Sequence, residues 1–367
     1  MNDQENRSAP NGKTVIKVIG VGGGGCNAVN RMYQASPIPG VDYICINTDA
    51  QHLMTLVVPH KMPIGTKLTR GLGVGGQPDL GREAAEEDRD ELYELLRGAD
   101  MVFVAAGMGG GTGTGAAPVL TEIAKETGAL TIGVVTKPFK FEGHKRHKQA
   151  EDGIQHMKEK ADSVLVIPNE RLLELADANV TTEDAFKMAD DVLRQGVMAI
   201  ALLVTETGEI NLDFADVKAV VSGAGTAWMA LGVASGENRA TEATRAAIES
   251  PLMDVQINGA KGILLSISGG SDLTLQEVHQ AAQMVESVAD PDATIIFGMS
   301  KDPTLEDEVR VTIIATGFPA VAATVPDDDL ILSHLDLAGV RGEPREEELD
   351  VPLFLRRNTA MKRRDRR

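Results

Sequence analysis

The sequence predicts an α/β fold: a parallel-sheet domain, then a long central helix, then a smaller α+β domain. Two patterns and one helix carry that prediction. From residue 14 to residue 167 short apolar runs alternate with stretches of helical spacing, and strands separated by helices pair in parallel with both sheet faces covered. Three glycine-rich segments fall at turns of this alternation, on the carboxyl edge of the sheet, where open α/β sheets bind ligands. Finally, Phe186, Ala189, Leu193, Val197, Ile200 and Val204 recur at helical spacing behind a Thr181-Thr182-Glu183-Asp184 cap, which predicts one long helix over 181–205.

Taken in order, residues 1–13 are polar and are expected to form a disordered tail. Gly12-Lys13-Thr14 has the ending of a P-loop, but Arg7 stands where the first glycine is required and the triplet precedes a strand instead of following one, so that reading is rejected. A strand over 14–19 leads into Gly20-Val21-Gly22-Gly23-Gly24-Gly25-Cys26-Asn27 and a helix through Met32. By themselves Gly20, Gly22 and Gly25 fit the G-x-G-x-x-G of a dinucleotide site, and the next strand, 41–46, ends in Asn47-Thr48-Asp49 with an acid placed to hold a ribose. A Rossmann-type nicotinamide-dependent dehydrogenase is therefore the alternative. Against it, a dinucleotide needs one such loop and this chain has three. Gly71-Leu72-Gly73-Val74-Gly75-Gly76 follows Thr69-Arg70, and Gly107-Met108-Gly109-Gly110-Gly111-Thr112-Gly113-Thr114-Gly115 follows the apolar strand 101–106. A triphosphate wrapped from several sides can use all three, and no catalytic His or Tyr constellation supports hydride transfer.

Helices over 79–97, 116–127 and 144–160 and strands over 130–135 and 163–167 complete the first domain. Behind the central helix come a strand over 227–234, a helix over 239–249, a strand over 262–268, a helix over 274–288, and strands over 294–299 and 309–316. This second unit has no phosphate-type loop. In the loop before residue 116 the glycines remove side chains that would hold a ligand off the backbone, so successive N–H groups can converge in front of a helix N-terminus. The favoured guest is an anion, above all a phosphate chain, and Thr112 and Thr114 add hydroxyl donors.

The run Gly109 to Gly115 resembles the signature of the tubulin/FtsZ family of GTPases, and the other two glycine loops match nucleotide loops of that family. The resemblance extends from Thr14 to Arg357. Asn211-Leu212-Asp213-Phe214-Ala215-Asp216-Val217 matches the FtsZ catalytic loop residue for residue, which favours the FtsZ branch of bacterial cell division over eukaryotic tubulin. It implies a GTP-binding domain over 14–180, the central helix over 181–205, and a catalytic loop with a C-terminal α+β domain over 206–318. It also implies that GTP or GDP is held by Gly22, Gly23, Gly24, Gly25, Cys26, Asn27, Asn47, Asp49, Gly73, Gly75, Gly109, Gly110, Gly111, Thr112, Gly113, Thr114 and Gly115. By the same resemblance Glu142 holds the ribose, Arg146 reaches the nucleotide, Asn169 meets guanine or ribose, Phe186 lies against the base, where a core role is equally compatible, and Asp190 reads guanine. A carboxylate only accepts, so it suits the N1–H and 2-amino donors of guanine and is repelled by the N1 acceptor of adenine. Asn211, Asp213 and Asp216 are the implied catalytic residues, and Mg²⁺ is bound mainly through nucleotide phosphates and water, with no metal ligand from the protein.

The spacing of these residues has a geometric consequence. Counted as mostly helical chain, the stretch from Asp190 to Asp213 spans roughly 34 Å. Asp213 and Asp216 are therefore expected to serve the nucleotide of the next subunit in a head-to-tail homopolymer.

Residues 319–348 are acidic and turn-rich, a flexible linker. Beyond them Leu349-Asp350-Val351-Pro352-Leu353-Phe354-Leu355-Arg356-Arg357 resembles the C-terminal peptide by which bacterial FtsZ binds membrane-tethering and regulatory division proteins, and a basic tail completes 349–367. A net charge of −18 argues against nucleic-acid binding. Cys26 and Cys45 make no disulfide or metal framework, no basic-then-apolar leader opens the chain, and the longest apolar run, 197–204, is too short to cross a bilayer. The expected location is the cytoplasm, at the midcell division ring. Cys26 at a helix N-terminus invites a lowered thiol pKa, against the plainer reading of a structural cysteine.

Overall fold

The computed structural model describes residues 14–35, 37–175, 180–205, 213–252, 257–301, 305 and 307–318. The tail 1–13, Asn211, the linker 319–348 and the segment 349–367 lie outside the described residues.

The first half runs β1 (Ile16–Val21), α1 (Gly22–Ala35), β2 (Val41–Asn47), α2 (Ala50–Thr55), β3 (His60–Pro63), α3 (Thr66–Thr69), α4 (Pro78–Glu87), α5 (Arg89–Leu96), β4 (Met101–Gly107), α6 (Thr112–Glu126), β5 (Leu130–Lys137), α7 (His144–Lys158), β6 (Ser163–Pro168) and α8 (Asn169–Leu175). The long helix α9 (Thr182–Thr205) follows, then α10 (Phe214–Val221), β7 (Gly225–Ser235), α11 (Arg239–Ile248), β8 (Gly262–Gly269), α12 (Leu275–Val288), β9 (Thr294–Lys301) and β10 (Glu308–Thr316). One sheet of ten strands takes the order β3-β2-β1-β4-β5-β6-β7-β10-β8-β9. Its first six strands are mutually parallel. The two halves expected as separate domains are joined by three parallel pairs between β6 and β7, beyond which β10 runs antiparallel to both β7 and β8.

Central strands read as apolar runs because both their faces are covered. On β4, Met101, Phe103 and Ala105 enter one core and Val102, Val104 and Ala106 the other. Burying a side chain such as Phe103 or Val104 contributes about 1.5–3 kcal/mol. The first core continues beneath α9, through Leu193, Val197 and Ile200, to Val217, Leu264 and Ile314 of the second half. A further cluster fills the other face of the second half.

Several boundaries differ from the sequence reading. Gly22–Gly25 and Thr112–Gly115 are first turns of α1 and α6, not loops. The helix expected over 79–97 breaks at Asp88, whose carboxylate leaves the helix line to accept the Gly65 N–H at 2.7 Å. The short elements α2, β3, α3 and α8 leave no mark in the sequence pattern, since four to seven residues carry too little periodicity to register.

Candidate functional site

A cavity of 730 Å³ opens at the carboxyl edge of the parallel strands, where Asn47 ends β2, Gly107 ends β4, Thr136 lies near the end of β5 and Asn169 follows β6. All three glycine segments reach it, through Gly23 and Gly24, through Gly73, Gly75 and Gly76, and through Gly110, Gly111 and Gly113. Neither α1 nor α6 has an acidic residue in its first turn, and α6 has no side-chain cap. The first-turn N–H groups, which have no intrahelical partner in any helix, thus lack acidic side chains to receive them as well, and two positive helix ends meet at one cavity, a place suited to a chain of phosphates.

The remaining glycines of these segments do a different job. A side chain at Gly22, which has φ +70°, would strike the Gly113 nitrogen at 2.7 Å, and one at Gly109 would strike the Arg146 carbonyl oxygen at 2.7 Å. At Gly25 it would run into the Ala105 carbonyl of β4, and at Gly115 into the Pro78 carbonyl of α4. Gly22, Gly25, Gly109 and Gly115 do not line the cavity; they let the loops and helices that form it approach one another. The Gly71–Gly76 segment is stitched on by Gly73 N–H to Thr48 O at 3.1 Å and Ala50 N–H to Gly71 O at 3.1 Å, and the Thr48 and Thr112 hydroxyls share a 2.6 Å hydrogen bond. Thr114, also outside the lining, accepts the Gly109 N–H at 2.8 Å, so its hydroxyl serves the loop itself.

At the α9 side the cavity becomes apolar and acceptor-rich. Phe186, Ala189, Leu193 and Asp190 present one face of the helix. Phe186 is 40% exposed and meets Phe139 edge-on at 5.4 Å, so it is a wall of the cavity and not core. Burial pushes the Asp190 carboxyl up to about 6, against the opposing pull of Arg31 at 3.3 Å. The Asn169 side-chain oxygen Oδ1 is buried with no hydrogen-bond partner among the described residues. A buried acceptor left unpaired costs about 1–3 kcal/mol unless a ligand donor reaches it. Two acceptors beside an apolar wall suit a flat ring bearing N–H donors. On the rim Glu142 takes the Phe139 N–H at 2.9 Å and Arg146 at 2.6 Å, which pairs the two residues implied for ribose and nucleotide.

Asn27, Asn47 and Asp49 also line the cavity. Asp49 doubles as the N-cap of α2, accepting the His52 N–H at 3.0 Å. Cys26 faces away from the cavity. Its side chain is fully buried and donates to the Gly20 and Ile46 carbonyls at 3.2 and 3.4 Å, and burial pushes its thiol up, which is the plainer, structural reading of this cysteine and leaves only its backbone to meet a ligand. Thr48, His52, Val74 and Gly76 also line the cavity, and of these Thr48, Val74 and Gly76 sit inside the sequence motifs. His52 carried no signal in the sequence at all.

Asp213 and Asp216 do not line this cavity. From Asp190 the helix α9 continues to Thr205, about 22 Å at 1.5 Å per residue, before the chain reaches them. They form a capping box at the start of α10, with Asp213 accepting the Asp216 N–H at 2.9 Å and Asp216 accepting the Asp213 N–H at 3.4 Å. Among the described residues there is no group of three or more His, Cys, Asp or Glu that could hold a metal ion, and no helix long and apolar enough to cross a membrane.

The dinucleotide reading is not supported, because the segments of Gly73 and Gly110 meet the same cavity as Gly23 and Gly24, where a dinucleotide fingerprint would use one loop. Comparison with known proteins points elsewhere. Residues 15–177 match the GTPase domain of the tubulin/FtsZ family, and residues 225–319 match the C-terminal domain of the FtsZ family. The chain is similar to an empty FtsZ dimer from M. jannaschii, at 47% identity and TM-score 0.81, covering 83% of this chain and 88% of that one. At the level of fold alone it is similar to the GDP-bound monomer of CetZ1 from Haloferax volcanii, with 24% identity, TM-score 0.72, and coverage of 83% and 95%. A GTPγS-bound protofilament of CetZ2 from the same organism gives 23% identity, TM-score 0.68, and coverage of 83% and 93%.

Proposed function

The chain belongs to the FtsZ family of tubulin-like GTPases, and from that premise we propose that it assembles head-to-tail into the filaments of a bacterial division ring and hydrolyses GTP only between subunits. One observation carries the intersubunit reading: the acids that match the family's catalytic loop, Asp213 and Asp216, stand outside the cavity that the nucleotide loops enclose. Family membership together with an incomplete site calls for a second copy, and a heterologous contact that does not close gives an open filament. The M. jannaschii relative, solved as a dimer, supports self-association.

In this reading the N–H groups at the starts of α1 and α6 hold the phosphates, Asp190 and Asn169 accept from guanine, Phe186 covers the base, and Glu142 with Arg146 meets the ribose edge. Water attacks the γ-phosphorus as its bond to the GDP oxygen breaks. A carboxylate beside a phosphate would repel it, so Asp213 and Asp216 of the adjoining subunit orient that water, with Asn211 of the same loop assisting by resemblance. Mg²⁺ would be held mainly through the nucleotide and water, with no ligand from the described residues, and would supply neutralisation of phosphate charge. The bacterial assignment, the midcell location and the partners rest on the likeness of residues 349–357 to a partner-binding peptide, and the cytoplasmic location rests on membership of the FtsZ family.

Phosphate release measured across a dilution series, with GTP and ATP in parallel, tests the proposal. Activity per subunit should collapse below a threshold concentration and be confined to GTP. Turnover that stays proportional to concentration down to isolated monomers would show that catalysis is complete within one chain.

A further inference from the structure

We propose that His52 is a positioning residue that fixes the polarity of two cavity-lining amides, Asn27 and Asn47, and so decides which end of each meets the nucleotide. The inference rests on the guanine-nucleotide reading of the cavity.

His52 stands in the first turn of α2, its N–H held by the Asp49 cap at 3.0 Å and its carbonyl by the Thr55 hydroxyl at 2.7 Å. Its ring lies between two side chains from different elements. Nδ1 faces Asn47 Nδ2 at 3.1 Å, from the end of β2, and Nε2 faces Asn27 Oδ1 at 2.9 Å, from α1. Asn27, Asn47 and His52 all line the cavity.

A neutral imidazole has one donor and one acceptor. As the amides stand, both bonds are made only when the proton is on Nε2, which donates to Asn27 while Nδ1 accepts from Asn47. Among the described residues no other hydrogen bond engages the Asn27 side-chain nitrogen Nδ2 or the Asn47 side-chain oxygen Oδ1. The cavity is thus offered one N–H end and one C=O end. Turning either amide alone would set donor against donor or acceptor against acceptor across the ring, so the two are coupled through it. A donor from Asn27 suits a phosphate or ribose oxygen, and an acceptor from Asn47 suits a hydroxyl or base N–H. Without the ring each amide is free to rotate and must be ordered when the ligand arrives.

Calorimetric titration of the nucleotide-stripped full chain with GDP tests this. His52→Leu should weaken binding about tenfold through loss of the two orienting bonds, while His52→Gln, which keeps one donor and one acceptor, should stay within about twofold. In an Asn27→Ala background the cost of His52→Leu should shrink to about threefold or less, because the coupled partner is already gone. Unchanged thermal midpoints of the stripped proteins separate positioning from folding damage. Independently of any variant, the nitrogen spectrum of GDP-bound wild type should place the ring proton on Nε2. Wild-type affinity in His52→Leu, equal losses in His52→Gln and His52→Leu, full additivity with Asn27→Ala, or a proton on Nδ1 would each overturn the proposal. Failure of the wild type itself to bind GDP would instead bring down the guanine-nucleotide reading, and the wild-type titration shows which has failed.

Discussion

Asp190 in the cavity and Glu277 in the C-terminal half are both carboxylates withdrawn from water, and they meet opposite fates. Burial raises Asp190 to about 6, and Arg31 offsets only part of that. Burial also pushes Glu277 upward, but hydrogen bonds from Arg239 and Thr274 outweigh it and hold the group at about 2. The first is a buried acid without enough protein partners, the second an acid fully used by its surroundings. The same division separates the helix ends. At the cavity α1 and α6 begin without an acidic residue in their first turns, whereas α10 and α12 begin with capping boxes built from Asp213 with Asp216 and Thr274 with Glu277. Polar groups that the fold leaves unpaired mark where a ligand is expected; polar groups paired within the fold contribute stability. Asp213 and Asp216 fall on both sides of this line, self-paired within one chain and matched by resemblance to catalysis, which is why their chemistry is assigned to a subunit contact.

The largest expected effect that would break this comparison comes from filling the unpaired end. Thr112→Arg places a long cation where Thr112 is 8% exposed, and GDP affinity should fall by about a thousandfold or more, with assembly lost in sedimentation. Retained affinity would remove the α6 turn from the site. Next, Asp213→Ala should lower phosphate release about a hundredfold or more while GTP affinity of the monomer stays within about twofold, at a cost of about 1 kcal/mol for the lost cap. Mixing it with Thr112→Arg should restore some turnover, since the latter supplies intact acids and the former bound GTP; no recovery in mixed samples would count against catalysis in trans.

On the paired side the readout is stability. Glu277→Gln leaves the Arg239 guanidinium, 8% exposed, with one anionic partner, Asp272, and should lower unfolding free energy by about 2–3 kcal/mol in urea without changing nucleotide affinity. Because its folded pKa is depressed, the Glu277 contribution is complete above about pH 4.5 and is lost as pH falls through about 2, so the variant should lose that acid sensitivity. The smallest effect has the opposite sign. Asp190 holds its proton more tightly folded than unfolded, so its contribution is complete below pH 3.8 and gone above about 6. Asp190→Asn should therefore stabilise the nucleotide-free protein above pH 6, by about 2 kcal/mol or less, and leave it unchanged near pH 4. A gain that does not vary across pH 4–7 would show that ionisation at Asp190 carries no burial penalty.

By itself the sequence determined what depends on local periodicity and backbone freedom. Apolar runs such as 101–106 name strands covered on both faces, helical spacing from Phe186 to Val204 names α9, and glycine segments behind strands name the ligand edge of the sheet. These are properties of neighbouring residues, so they survive without knowledge of the fold. Only the tertiary structure decided which way each residue of a motif faces. Gly23 and Gly24 line the cavity while Gly22 and Gly25 permit packing; Asn27 lines it while Cys26 turns into the core; Asp190 meets Arg31 from α1; and His52 joins two asparagines from separate elements. One residue of shift on a helix rotates a side chain by about 100°, enough to exchange ligand for core. Which rotation is realised is set by contacts between segments far apart in the chain, such as Gly22 against Gly113 and Asp88 against Gly65, and no local pattern encodes them.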